Sequence, residues 1–239
     1  MNAQDGAAAS TVSATHLARM LQFGDSMLPI GGFSFSCGLE SAIQKRVVTD
    51  VATLLQFTRT AVEQAARGDG IALVCAHRAA EAGDIDELLR IDARVHARKL
   101  SSETRAMSTR MGRKFVELGA QVTGAPALAD WRSRVLSGAT PGCYPVALAI
   151  HFATQGLTAR DAFVVHHYGV AATILGAALR LMRISHVDTQ GLLFQLNADV
   201  DTPYRTAAAA SLDDMAGFAP MADILAAVHV KAHVRLFMN

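Results

Sequence analysis

Apolar residues recur along this chain with a helical period. Leu17, Met20 and Leu21 are spaced i, i+3, i+4, as are Val51, Leu54 and Leu55, with Val62 two turns further on. Ile85, Leu88, Leu89 and Val95 continue the theme. Start signals precede these runs. Asp50 stands before Val51, and Asp84–Glu87, Thr158–Asp161 and Ser211–Asp214 have the spacing at which a short polar side chain caps a helix N-terminus. Breakers separate them: Pro29-Ile30-Gly31-Gly32, Gly68-Asp69-Gly70, Gly83-Asp84, Gly124-Ala125-Pro126, Pro141-Gly142, Gly156 and Thr202-Pro203. The alternation of a half-buried strand is almost absent. The pattern predicts an all-α fold, a single-domain helical bundle of about eight to eleven helices with no internal repeat and no dividing linker.

One run tests that prediction. From Ala162 to Leu179 the chain reads AFVVHHYGVAATILGAAL, with no Asp, Glu, Lys or Arg. Its length borders on what a bilayer demands. A helix buried in a helical core is apolar all round for the same reason, and His166, His167 and Tyr168 sit inside this run. It therefore reads as a core helix, with the stretch from Ala162 to Met182 among the most buried of the chain. Residues 1–14 are small and polar, lack the basic and apolar regions of a signal peptide, and read as a disordered lead-in to a helical domain over 15–239. Net charge is +1, which gives no general electrostatic reason to bind nucleic acid or an anionic membrane. Cys37, Cys75 and Cys143 are odd in number and far apart, as in a reducing cytoplasm, and match neither a disulfide framework nor a structural zinc site.

The chemically unusual stretch is Phe23 to Glu40, FGDSMLPIGGFSFSCGLE: too apolar for an ordinary loop, too rich in glycine and proline for one helix. A serine nucleophile elbow needs G-x-S-x-G after a strand, and here the last glycine and the strand are both missing. A phosphate-binding loop needs a lysine to reach the terminal phosphates, and Gly31 to Gly38 holds none, so this chain by itself is predicted neither to bind nor to hydrolyse GTP. No catalytic residue and no cofactor are predicted. His229 and His233 are i, i+4 and could face one metal, but Val230 stands where a zinc protease carries its glutamate; adjacent His166 and His167 point to different sides of a helix. No resident metal site is predicted. The basic stretch from Arg94 to Lys114 reads as a solvated helical face or as a face for an acidic partner. What remains of the opening stretch is apolar surface on a glycine hinge, with at least one of Phe33 and Phe35 expected in the core and rings outside it suited to anchoring another protein.

These residues carry a resemblance. MLPIGGFSFSCGLE, Met27 to Glu40, is similar to the signature of the UreF family of urease accessory proteins, with Ser26, Leu28, Pro29, Ile30, Gly31, Phe33, Ser34, Phe35, Ser36, Gly38, Leu39 and Glu40 fitting it. ARKLSSETRAMSTRMGRKFVEL, Ala97 to Leu118, resembles the family's Glu-x-Arg and Met-Gly block, and the end from His229 to Phe237 resembles its closing Arg-Leu-Phe. Gly191 departs from the family, which commonly has a basic residue there, and Cys37 stands where Gln is frequent. The resemblance implies an all-α homodimer that performs no chemistry. It would assemble with a second accessory protein (UreD or UreH) and the GTPase UreG, and deliver nickel to apo-urease in the cytoplasm. It also implies protein contacts at Phe33, Ser34, Phe35, Ser36, Leu39 and Glu40, and at His229, His233, Arg235, Leu236 and Phe237, with the apolar tail loosely held until a partner covers it. The alternative is a carrier that itself binds nickel through His229 and His233, or through His166 and His167.

Overall fold

The computed structural model describes residues 13–217, 224, 225, 236 and 237. Its helices are α1 (Ala14–Gly24), α2 (Leu39–Gln44), α3 (Val51–Ala65), α4 (Ile71–Ala82), α5 (Ile85–Arg98), α6 (Ser102–Thr123), α7 (Pro126–Leu136), α8 (Tyr144–Thr154), α9 (Ala159–Leu181), α10 (His186–Leu196) and α11 (Asp201–Ala209). A π-helical turn, Ala66–Gly70, joins α3 to α4, and short 3-10 turns lie at Gly32–Ser34 and Leu212–Asp214. No strand occurs among the described residues, so the all-α prediction holds. The lead-in assigned to 1–14 falls, apart from its last two positions, outside the described residues.

The caps form as the spacing demands. The Asp50 carboxylate accepts from the Thr53 amide at 2.8 Å while Thr53 Oγ1 accepts from the Asp50 amide at 3.0 Å. Reciprocal boxes also close at Thr158–Asp161 and Ser211–Asp214, and at Ser185–Asp188 ahead of α10. Each such cap is worth about 1 kcal/mol. Asp84 accepts from the Glu87 amide, but the Glu87 carboxylate turns outward to Arg90 instead of reaching back.

Two breakers behave otherwise. Gly68-Asp69-Gly70 does not end a helix; the chain runs on through the π turn. The reason for Gly70 is contact: a Cβ there would lie 2.6 Å from Phe163 Cε2 of α9. Thr202-Pro203 opens α11, where a first-turn proline gives up a donor that has no intrahelical acceptor.

Packing is centred on two helices. α8 lies against α4 and α6, with α5 on α4 and α7 on α6, while α9 touches α1, α2, α3, α4, α8 and α10. One core cluster holds Phe115, Trp131, Ile150 and Phe152; a second holds Leu39, Leu54, Ile174, Leu175, Leu192 and Phe237. The loop into α8 is held by Asp92, fully buried, whose carboxylate accepts from Thr140 Oγ1 and from the amides of Gly142 and Cys143, both at 2.7 Å. α9 is the one described helix long and apolar enough to cross a membrane, yet it buries His166 and His167 against the rest of the chain. Its burial is one-sided, however, and α8 rather than α9 is the most enclosed element. The periodic leucines of α1 also differ from expectation: Leu17 and Leu21 are exposed, and α1 docks through Phe23.

Candidate functional site

After α1 the chain turns at Asp25, whose carboxylate accepts from the Met27 amide at 2.8 Å. Ile30 drops into the core, and Gly31, at φ 88°, starts the 3-10 turn. That turn separates the two rings: Phe33 is 73% exposed and Phe35 is 3% exposed. Ser36 is buried in the turn ahead of α2, its carbonyl accepting from the Leu39 amide at 3.1 Å. Cys37 and Gly38 are both left-handed (φ 53° and 82°), which reverses the chain into α2, and burial pushes the Cys37 thiol up to about 11, against the pull of Lys99.

Glu40 is the centre of the site. It is 3% exposed, and its carboxylate accepts from the backbone amides of Leu236 at 2.9 Å and Phe237 at 3.2 Å. A buried carboxylate is costly unless donors reach it, and here two consecutive amides from the chain's end supply them. Arg180, at the end of α9, completes the arrangement. Its guanidinium lies 3.8 Å from the centre of the Phe33 ring and 4.0 Å from that of Phe237, and it donates to the Phe33 carbonyl at 3.0 Å.

Three stretches far apart in sequence therefore meet. On the surface they present Phe33, Arg180 and Leu236, the last 73% exposed, with Ser34 half-buried beside them in the chain. Phe35, Ser36, Leu39, Glu40 and Phe237 are interior, so they position this surface instead of forming it. Phe237 is covered by its own chain, which departs from the expectation of a tail waiting for a partner; His229, His233 and Arg235 lie outside the described residues. Arg180 was not among the predicted site residues. Its signal was that it ends the uncharged run of α9.

The adjacent histidines do not converge. His166 stacks on Tyr144 and comes within 3.9 Å of Asp69, whereas His167 stacks on Phe163. Burial pulls His166 down to about 4, with Asp69 opposing. Asp69 itself would be raised by burial, but the Lys99 ammonium at 2.6 Å and His166 hold it below the ordinary carboxylate value. Among the described residues no three His, Cys, Asp or Glu side chains are grouped to hold a metal ion. The basic stretch is only partly a solvated face. Lys99 is turned inward to Asp69, Arg105 donates to the Lys99 carbonyl, and Arg94 pairs with Asp213 at 3.0 Å, while Arg98, Arg113 and Lys114 stay exposed.

Comparison with known proteins bears on this surface. The family model described as UreF matches residues 48–197. The chain is 56% identical over 223 residues to urease accessory protein UreF 2 of Brucella canis, covering 93% of this chain and 92% of that one. It is 50% identical over 228 residues to urease accessory protein UreF of Yersinia enterocolitica, covering 95% of this chain and all of the relative. The helical architecture, the signature segment packed around Glu40 and these relationships together place the chain in the UreF family of urease accessory proteins.

Proposed function

We propose that the protein is a non-catalytic scaffold for nickel insertion: it joins UreD or UreH and the GTPase UreG, modulates GTP-dependent delivery of nickel, and thereby matures apo-urease in the cytoplasm. The observation that carries this reading is the surface of Phe33, Arg180 and Leu236. It is exposed, aromatic and cationic, and held from beneath by buried Glu40 and Phe237. Rigid aromatic and arginine anchors of this kind dominate protein–protein affinity. Homodimerisation finds support in α9, which is apolar all round but only partly covered by its own chain along Val164, Tyr168, Ala172 and Gly176.

The test is assembly of the purified chain with UreD or UreH and UreG. The double variant Phe33→Ala/Arg180→Ala should keep the fold and weaken the complex by at least about tenfold. Phe35→Ala should instead cost about 3–5 kcal/mol of stability, because it empties a core position. A folded Phe33→Ala/Arg180→Ala chain that assembles at unchanged affinity would sink the assignment of this surface.

A further inference from the structure

α6 and α7 hold the chain's surplus of positive charge. From Ser102 to Leu136 there are six Arg and Lys against three Asp and Glu, whereas the whole chain carries 22 against 21, so the rest of it is slightly acidic. At the seam between the two helices three cations surround one carboxylate. Lys114 bonds Glu117 at 2.9 Å, Arg113 lies one turn before Glu117 on α6, and Arg132 of α7 is near enough to act on the same group. The Lys114 hydrogen bond and charge, with the charge of Arg132, hold Glu117 below the ordinary carboxylate value. Arg113, Lys114 and Arg132 are all exposed. Arg113 and Arg132 form no ion pair among the described residues, whereas Arg134 is closed on Asp130 at 2.8 Å.

Folding does not account for these charges. Cations stabilise a helix from its last turn, and the last turn of α6 holds none. Arg110 stands three and four residues before Arg113 and Lys114, the spacings at which like charges on a helix repel. A surplus of positive charge that costs the helix stability suits an anionic partner. Nucleic acid fits poorly: affinity for it grows with many phosphate contacts and with rings on which bases stack, while Phe115 and Trp131, the aromatic residues of α6 and α7, are each 1% exposed. We propose that the α6–α7 seam is a second docking surface, for a protein segment carrying clustered Asp and Glu side chains, with Arg113, Lys114 and Arg132 as its contacts. It shares no residue with the Phe33–Arg180–Leu236 surface, so its test is separate from that of the scaffold reading.

A fluorescent octaglutamate peptide is the probe, with octathymidylate and an uncharged Gly-Ser octapeptide beside it, read by anisotropy on the full chain. Octaglutamate should bind saturably with a Kd on the order of 1 mM or tighter at about 20 mM salt, and weaken as salt rises through about 150 mM. Arg113→Gln/Arg132→Gln, at two exposed positions, should keep the fold and weaken binding by about tenfold. Arg59→Gln/Arg67→Gln removes the same charge from exposed positions on α3 and the π turn, and should leave binding unchanged. The proposal is overturned by an absence of saturable binding to the folded chain, by an equal loss in the Arg59→Gln/Arg67→Gln control, or by octathymidylate or the Gly-Ser peptide binding as tightly as octaglutamate.

Discussion

α8 and α9 are alike as sequences and unlike in the structure. Neither has a polar face. In α8 every residue from Pro145 to Phe152 is buried by the same chain. In α9 Tyr168 is 37% exposed, and Cβ atoms added at Gly169 or Gly176 would meet nothing within 4 Å. The neighbours of α8 approach so closely that a Cβ on Gly112 of α6 would lie 2.1 Å from the Gly142 carbonyl oxygen. An apolar helix must be covered all round to be stable in water, but cover can come from the same chain or from another. Small residues serve both ends: on α6 they let backbones touch, and on α9 they leave a shallow face open.

The sharpest way to break this comparison is to add bulk on the closed side. Gly112→Val drives a side chain into backbone that cannot move aside, and should cost on the order of 4 kcal/mol or prevent folding. A chemical-denaturation midpoint close to the parent would show that the loop before α8 is free to shift.

A smaller effect comes from the enclosure of α8 itself. His151 is fully buried, packs tilted against Phe23 with ring centres 3.9 Å apart, and has no partner at either ring nitrogen. Burial, helped by Arg19, pulls its pKa from 6.5 down to about 4. Between those values the unfolded chain binds a proton that the folded chain refuses. Stability is therefore complete above the unfolded pKa and falls as pH drops toward the folded one, by up to about 3 kcal/mol. His151→Leu should remove that share of the slope when urea midpoints at about pH 7 and about pH 4.5 are compared, with the buried His166 and His167 contributing to what remains. An unchanged slope in that variant would mean that acid enters elsewhere.

The smallest effect on folding belongs to the open side. A Cβ at Gly176 meets nothing within 4 Å and Gly176→Leu replaces a poor helix former, so stability should hold or rise by about 0.5–1 kcal/mol. The same substitution should shift the proposed dimer to monomer in sedimentation velocity. A dimer that persists at equal affinity would remove α9 from the proposed subunit contact.

Much of this was legible in the chain. Helix starts at Val51, Ala159 and Leu212 follow from side chains within three residues, so spacing alone reveals them. The signature segment was legible as chemically unusual, but not the division of labour within it. Phe33 and Phe35 are two residues apart, and only the 3-10 turn between them sends one out and one in. Gly70 was misread because a glycine needed for a turn and one needed for a close contact look identical until Phe163 is beside it.

By itself the sequence determined the helical class, the caps and which segments carry unusual chemistry, since these depend on periodicity and on contacts a few residues apart; the family it indicated only through the resemblance of its motifs. Only the tertiary structure decided that Glu40 receives the amides of Leu236 and Phe237 and that Arg180 lies between two rings. Those partners lie from 57 to 197 residues apart, and no local spacing records them. A buried carboxylate must find donors wherever the fold brings them, and here Arg180 of α9 touches both segments that meet, Phe33 in one and Phe237 in the other.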